Sequence, residues 1–210
     1  MEAIHITRSL MEKHRERQKA LHRAFLDLEK AYDSVPRELI WRMLRAKGAN
    51  ERFCRVIRDM YDRSRTGVRT PVGTTELFPV EVGLHQGSAL SPYLFTLILD
   101  ELSSGLQEKL PWCLIFADDI ALISKSTEDL NFRLKKWISA LEDNGLRVSR
   151  EKTEYLRCDF DKEKLRQDGG EDICIGERVL PPKESFRYLG SVLHKSGGIE
   201  EDVAHRIQAG

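Results

Sequence analysis

The sequence predicts an α+β fold in which helices pack on an antiparallel sheet. Short apolar runs bounded by turn residues indicate buried strands, as at 21–28 and 113–124. Apolar residues at helical spacing lie between and after them, as at 51–64 and 126–141. The 210 residues are 40% hydrophobic and 32% charged, which suits one globular domain with a substantial core, or one domain with a small appendage.

Charge and cysteine content narrow the class of protein. Lys and Arg total 34 against 34 Asp and Glu, so no global basic field indicates a nucleic-acid partner. Residues 37–69 carry ten basic and four acidic side chains, which is compatible with phosphate binding but weakly diagnostic. The four cysteines form no CxxC pair, and we interpret them as free thiols. No signal peptide or membrane span is apparent, which places the protein in the nucleus or cytoplasm.

The chain opens with a helix and a strand. The charged, thinly amphipathic residues 2–19 predict a partly exposed helix, and 21–28 predict a strand that carries a lone carboxylate, Asp27. An isolated buried carboxylate needs a cationic partner or a metal ion. The alternative is that Asp27 caps the segment that follows.

Two amphipathic helices are expected next. Asp33 or Ser34 is predicted to cap the first, with Pro36 in its first turn and Gly48 at its end. The second, over 51–64, has an apolar stripe at helical spacing: Phe53, Val56, Ile57, Met60 and Tyr61. Its arginines lie largely off this stripe, where they form either a solvated face or a set of phosphate contacts.

A glycine-containing loop leads into a third helix. Strands are predicted over 67–71 and 76–82, and Gly83 and Gly87 then bracket a loop that lets backbone approach a ligand. The helix that starts at Pro92 is apolar almost all round, so we expect it to be buried at the centre of the domain. As a nucleotide cradle this pattern alone is a weak signal.

Two adjacent carboxylates, Asp118 and Asp119, interrupt the apolar run at 113–124, where we predict a hairpin with a two-residue acidic tip. Asp-Asp is a poor turn, because common tips use glycine to adopt positive φ. Two carboxylates about 4 Å apart repel by roughly 4 kcal/mol at an effective dielectric of about 20. A divalent cation such as Mg²⁺ would relieve this repulsion, and a solvated acidic turn is the alternative.

Five further elements are predicted after the acidic hairpin. They are a capped helix over 126–145, a strand over 154–158, two hairpins over 173–180 and 186–193, and a charged helix from Ile199 onward. The polar residues 159–171 look like a surface excursion. If the strands at 21–28 and 113–124 are neighbours, Asp27, Asp118 and Asp119 cluster, which is the minimum ligand set of a two-metal site.

Five motifs in order resemble the reverse transcriptase domain of non-LTR (LINE-like) retrotransposons. FLDLEKAYDSVP is similar to the first palm motif of that family, GLHQGSALSPYLF to the second, FADD to the third, GLRVSREKTEYL to the fourth and FRYLGSVL to the fifth. The resemblance implies a right-hand polymerase palm with a partial fingers element. It divides the chain into a fingers-helix remnant (1–20), the palm (21–198) and the start of a thumb connection (199–210).

The resemblance also implies residue roles in catalysis. Asp27, Asp118 and Asp119 match the catalytic and metal-binding acids. Lys152 matches the lysine of the fourth motif, which would protonate the departing pyrophosphate, although a surface lysine is the alternative. Ser149 stands where the family often has asparagine.

Further roles concern the nucleotide and the primer. Tyr32 matches the aromatic gate that excludes a ribose 2′-hydroxyl, and Gln86 and Gly87 match the loop that contacts nucleotide and template. His85, just before them, stands where much of the family has proline. A further match, to the hairpin that grips the primer end, covers Tyr188, Leu189 and Gly190. A core aromatic and an ordinary strand and turn are the alternatives for Tyr32 and for this hairpin.

The implied function is RNA-directed DNA polymerase, which adds dNTPs to a primer 3′ end by two-metal phosphoryl transfer. This reaction requires an RNA template, a DNA primer and two Mg²⁺ ions, which Mn²⁺ could replace. No membrane is expected to take part. Most of the fingers are expected to precede Met1, and the thumb is expected to follow Gly210. A partner chain could supply these parts. The alternatives are an inactive truncated remnant, a nucleic-acid-binding palm, or a metal-dependent nuclease. The gate and the Gln-Gly loop favour a polymerase, because a nuclease does not select a sugar.

Overall fold

The computed structural model describes residues 2–160 and 171–209, and most of the predicted excursion at 159–171 lies outside them. The chain forms two compact units. The first consists of Met1–Leu28, Leu106–Ser139 and Val148–Gly210. The second consists of Glu29–Gly105 and Ala140–Arg147.

Seven helices lie in the described part of the chain. They are α1 (Glu2–Glu16), α2 (Ala31–Ser34), α3 (Arg37–Ala46), α4 (Glu51–Asp62), α5 (Leu90–Ser103), α6 (Thr127–Glu142) and α7 (Glu200–Ala209). No helix among the described residues is both long enough and apolar enough to cross a membrane.

The longer strands belong to the first unit. The strands are β1 (Leu21–Leu26), β2 (Arg65–Thr66), β3 (Arg69–Thr70), β4 (Gly73–Thr74), β5 (Phe78–Pro79), β6 (Cys113–Phe116), β7 (Asp119–Ser124), β8 (Glu154–Cys158), β9 (Cys174–Ile175), β10 (Arg178–Val179), β11 (Pro182–Lys183), β12 (Ser185–Tyr188) and β13 (Ser191–His194). In the second unit, β2 pairs with β5 and β3 with β4.

One five-stranded sheet organises the first unit, with strand order β11-β8-β1-β7-β6. Its pairings are antiparallel except for the short parallel contact of β11 with β8. Strand β1 is central, with β8 on one side and β7 on the other, and all six of its residues are buried. The predicted α+β fold with an antiparallel sheet is confirmed.

Helix α1 and the β12–β13 hairpin share a core with this sheet. The buried side chains of this core are Leu10, Met11, Leu21, Phe25, Leu114, Ala121, Ile123, Leu156, Cys158, Tyr188 and Leu193. The ring of Phe25 lies 4.4 Å from that of Phe186 and 5.1 Å from that of Tyr188. Phe25 is therefore held in place two residues before Asp27.

The tip of the β6–β7 hairpin is one residue earlier than the sequence predicts. Phe116 pairs with Asp119, so the two turn residues are Ala117 and Asp118, and Asp119 opens β7. The apolar pairing of Ile115 with Ile120 sets this register, since a shift by one residue would reverse both faces. The turn then places Ala117 at φ +52°, a left-handed conformation that disfavours a side chain.

Three helix predictions in the second unit need correction. Asp33 and Ser34 lie inside the short helix α2, and Pro36 is the N-cap of α3, because proline holds the preceding Val35 in an extended conformation. The apolar stripe of α4 is largely exposed at Phe53, Val56 and Met60, whereas Cys54 and Tyr61 are buried. Helix α5 is buried on one face only, with Pro92, Tyr93, Thr96 and Asp100 exposed on the other.

Candidate active site

The three predicted catalytic acids lie at one end of the central strands of the first unit. Asp27 directly follows β1, Asp118 lies in the β6–β7 turn, and Asp119 begins β7. The last β1–β7 pair is Leu26 with Ile120, so Asp27 and Asp119 occupy the next register position on neighbouring strands. The expected clustering of these acids follows from strand pairing, because Leu26 and Ile120 are 94 positions apart in the sequence but paired in the sheet.

The carboxylates influence one another electrostatically. Burial raises the pKa of Asp27, Lys152 opposes this effect, and Asp118 adds to it. Burial also raises the pKa of Asp119, with further contributions from Asp118 and Asp27. In both cases the surroundings disfavour the ionised form relative to water, an effect that a bound cation would offset.

The same three acids have the chemistry that a hard divalent cation prefers, since each offers carboxylate oxygens. Among the described residues, however, no group of three His, Cys, Asp or Glu side chains is arranged to hold a metal ion. The donor set therefore fits Mg²⁺ in its chemistry, while these side chains are not converged on one point.

Lys152 lies beside the acids on the turn before β8. Its Nζ is 3.9 Å from Asp27 Oδ1, and its side chain is 73% exposed. Ser149 shapes this turn: its Oγ accepts from Lys152 N at 3.2 Å, and its carbonyl accepts from Thr153 Oγ1 at 2.6 Å. Ser149 N also donates to Asp27 O at 2.8 Å. No role for Ser149 was predicted, although a serine with a threonine four residues on is a local signal for such a turn.

A pocket in the second unit collects the three residues predicted to contact the nucleotide. It measures about 480 Å³, and its lining includes Tyr32, Gln86 and Gly87. Tyr32 stacks on Phe95 with ring centroids 4.8 Å apart, and Gln86 Nε2 donates to Asp33 Oδ1 at 2.7 Å. Tyr32, predicted either as a gate or as a core aromatic, is thus packed on one ring and also lines the pocket.

Gly83 permits the tight contact between the pocket loop and α2. A Cβ at Gly83 would lie 2.7 Å from the carbonyl oxygen of Asp33, and φ is +89°. Leu84 N donates to Tyr32 O at 2.8 Å, and Gly83 N to Val35 O at 2.9 Å. Only glycine can come this close to the Asp33 carbonyl. The close contact and the two backbone hydrogen bonds therefore hold the loop against the segment that contains Tyr32.

The predicted primer-contacting hairpin joins β12 and β13. Leu189 and Gly190 form its turn at φ +47° and +79°. Tyr188 precedes the turn and is buried, with a hydroxyl that has no hydrogen-bond partner among the described residues. Burial, followed by the charge of Asp119, raises the pKa of Tyr188 to about 12. The Tyr188 side chain therefore faces the core near the acids.

Acids at the end of a central strand and at the adjacent hairpin of an antiparallel sheet define the palm of a right-hand nucleic-acid polymerase. The chain belongs to the reverse transcriptase (RNA-dependent DNA polymerase) family, because its residues 2–193 match the model of that family.

Two curated relatives are Pol polyproteins of R2 retrotransposable elements. The R2DM element of Drosophila melanogaster is 26% identical over 201 residues, covering 88% of this chain and 19% of the polyprotein. An R2 element of Popillia japonica is 29% identical over 213 residues, covering 90% and 29% respectively. The resemblance to a non-LTR retrotransposon reverse transcriptase domain is confirmed, and the chain spans about a fifth of the length of the Drosophila relative.

A solved structure shares the fold. The apo telomerase of Candida tropicalis, truncated from its C-terminal domain, superposes with a TM-score of 0.64 and 17% identity. The match covers 91% of this chain and 38% of the telomerase chain.

Proposed function

We propose that this chain is the palm of an RNA-directed DNA polymerase that adds dNTPs to a DNA primer on an RNA template. The observation that carries the proposal is that Asp27, just after β1, and Asp119, at the start of β7, lie at the same end of two neighbouring strands. Asp118 lies in the adjoining turn. Family membership supplies the reaction class, and the acids supply the chemistry that the reaction needs.

In this proposal Asp27, Asp118 and Asp119 hold two Mg²⁺ ions, or Mn²⁺ in their place. Bound there, the ions would activate the primer 3′-hydroxyl and stabilise charge on the leaving pyrophosphate. The raised pKa of Asp27 and of Asp119 supports this role, because a bound cation would offset both the burial and the neighbouring negative charge that raise them. Lys152 donates a proton to the departing pyrophosphate, and its position 3.9 Å from Asp27 supports that assignment.

The remaining site residues select and hold substrates. Tyr32 excludes the ribose 2′-hydroxyl, and Gln86 and Gly87 contact the incoming nucleotide and the template base. Their common pocket supports these roles. The turn at Leu189 and Gly190 contacts the primer end through its backbone, since Tyr188 is buried.

The proposal includes partners and a compartment. An RNA template and a DNA primer are the macromolecular substrates, and a partner chain could supply fingers or thumb elements. All four cysteines are free, which supports a reducing compartment, the nucleus or cytoplasm.

Primer extension tests the function. The full chain is incubated with an RNA template, a DNA primer, dNTPs and Mg²⁺, beside the isosteric variant Asp118→Asn. We expect extension by the wild-type protein and its loss in the variant, while the exposed-acid control Glu12→Gln stays active. Equal extension by Asp118→Asn would refute the assignment.

The same assay separates the alternatives. Folded wild-type protein that binds the primer and template without extending it would favour an inactive, nucleic-acid-binding palm. Metal-dependent cleavage of the strands without extension would favour a nuclease.

A further inference from the structure

His85 connects the pocket loop to the end of helix α4. Its imidazole stacks on the ring of Tyr61, with centroids 4.0 Å apart and planes 18° apart. Its Nε2 lies 2.9 Å from Oγ of Ser64, which follows α4. Two different contacts thus hold one side chain: a ring stack and a hydrogen bond.

The surface that receives His85 is itself firmly held. Tyr61 is 1% exposed and meets the ring of Trp41 edge-on at 5.8 Å. The guanidinium of Arg37 lies 5.2 Å from the centroid of the Tyr61 ring and donates to Tyr61 O at 2.9 Å. A side chain stacked on Tyr61 is therefore held in a fixed position relative to helices α3 and α4.

The hydrogen bond has a defined direction. Ser64 Oγ donates to Tyr61 O at 2.7 Å, which uses its single hydrogen. The Nε2–H of His85 must then be the donor to Ser64 Oγ. Burial, and next the charge of Arg37, lower the pKa of His85, which agrees with a neutral imidazole.

On its other side the loop is held by the hydrogen bond from Gln86 Nε2 to Asp33 Oδ1 at 2.7 Å. Gln86, Gly87 and Ala89 are exposed, and Gly87 has φ +79° with open space where a Cβ would be. The carbonyl of His85 accepts from Ser88 N at 3.3 Å and from Ser91 Oγ at 2.6 Å. His85 therefore joins this exposed stretch to the end of α4, while Gln86 joins it to α2.

We propose that His85 is a positioning residue that holds Gln86 and Gly87 in the nucleotide pocket by means of its contacts with Tyr61 and Ser64. The inference rests on the proposed function for its kinetic consequence. The physical claim, that His85 orders the loop, stands on the contacts alone. A proline here would fix φ by its ring, whereas in this chain the side chain provides the restraint.

Four variants separate the two contacts. His85→Ala removes both, His85→Phe keeps the stack, His85→Gln keeps an N–H donor, and Ser64→Ala removes the hydrogen-bond acceptor. We expect His85→Ala to accelerate hydrogen exchange at the Ser88 amide and to raise the dNTP KM roughly tenfold, with a smaller change in kcat. His85→Phe and His85→Gln should fall between Ala and wild type. The exposed histidine variant His5→Ala should match wild type.

A double-mutant cycle isolates the hydrogen bond. If His85 acts on the loop through Ser64, adding Ser64→Ala to His85→Phe changes Ser88 exchange and KM no further. Additive effects would place the action of Ser64 elsewhere and remove the hydrogen bond from the proposal.

Failure of this proposal can be told apart from failure of the proposed function. Unchanged Ser88 exchange in folded His85→Ala overturns the positioning role whether or not the protein extends primers. A fall in kcat with an unchanged dNTP KM overturns it as well. A wild-type protein that never extends a primer refutes the polymerase, and the exchange experiment still decides whether His85 orders the loop.

Discussion

The ammonium nitrogen of Lys152 lies 3.9 Å from the carboxylate oxygen Oδ1 of Asp27. The two residues are far apart in the chain, and the Ser149 turn brings them together through its bonds to Asp27 O and Lys152 N. Because Lys152 is mostly exposed, the ion pair contributes little to stability. In the proposed function, this contact places a proton donor at the edge of the acid cluster.

Replacement of Lys152 should therefore affect the reaction more than the fold. We expect Lys152→Ala to lower the single-turnover extension rate by about 10²-fold, the lower range for loss of a general acid. The melting temperature should stay within a degree or so of wild type, since an exposed ion pair is worth about 0.5 kcal/mol or less. Lys13→Ala, on the exposed side of α1, is the control. An unchanged rate would return Lys152 to the status of a surface lysine.

Tyr32 should control the choice between dNTPs and rNTPs. Its ring is packed on Phe95 and lines the pocket, so Tyr32→Phe keeps the steric wall while Tyr32→Ala opens it. We expect Tyr32→Ala to raise the relative kcat/KM for rNTPs by on the order of tenfold or more, and Tyr32→Phe to leave it near wild type. Competitive incorporation of a matched dNTP and rNTP pair measures this ratio. Equal discrimination by both variants would disprove the gate.

The acid cluster should reduce stability in the absence of a metal ion. Asp119 has a folded-state pKa raised above 3.8, so its ionisation opposes folding as pH rises through that range. Asp119→Asn should then melt at a higher temperature than wild type at pH 7 without Mg²⁺. The gain should vanish below about pH 3.8, where the wild-type carboxyl is protonated in both states. A variant that is less stable at pH 7 would show that Asp119 is not under repulsion.

Ionised Asp202 should stabilise the fold, in contrast to Asp119. Its buried carboxylate joins α1, β13 and α7. Its Oδ1 accepts from Val192 N at 2.7 Å, and its Oδ2 from Arg8 Nη2 at 2.7 Å and Arg206 Nε at 3.1 Å. Burial opposes the charge, but these hydrogen bonds prevail and lower the pKa of Asp202 to about 2.

A lowered pKa stabilises the fold above the unfolded value of 3.8, and this contribution is lost as pH falls through about 2. We expect Asp202→Asn to lower the free energy of unfolding by about 2 kcal/mol at pH 7, and by much less at pH 2. Urea unfolding followed by tryptophan fluorescence measures both values, with the exposed neighbour variant Glu200→Gln as control. An equal loss at both pH values would assign the effect to packing instead of charge.

Arg23 should destabilise the sheet in which it is buried. It is 0% exposed on β1 between Ile123 and Leu156, and its Nη2 lies 2.7 Å from Cys158 Sγ. Its Nε and Nη1 have no hydrogen-bond partner among the described residues. A guanidinium stays protonated in proteins, so its charge is desolvated with no matching anion in the described part of the chain.

We therefore expect Arg23→Met to raise the free energy of unfolding by about 1 to 4 kcal/mol, as apolar replacements of buried charges often do. Cys158→Ala should lower stability in the wild-type background more than in the Arg23→Met background, because only the former loses an acceptor for Arg23. Urea titrations of the four proteins provide the comparison. Destabilisation by Arg23→Met would mean that the guanidinium has a structural role that the hydrogen-bond geometry does not reveal.

Local patterns predicted much of the fold. The strand at Glu154–Cys158 and the start of α6 follow from apolar runs and a capping serine, and Asp129 N indeed bonds to Ser126 Oγ at 3.3 Å. Sequence patterns failed to predict burial where it depends on which other element packs against the residues. The stripe of α4 shows that its apolar residues share a face, but periodicity does not say what covers that face, and Phe53 is 66% exposed.

The sequence by itself determined the order and type of the main elements, the three acids and the family, because these depend on residues close together in the chain. Only the tertiary structure decided that the hairpin turn falls at Ala117 and Asp118, and that His85 lies on Tyr61. Strand register and ring stacking depend on pairings between distant segments. Such pairings are selected by burial and shape once the chain has folded, and no local pattern encodes them.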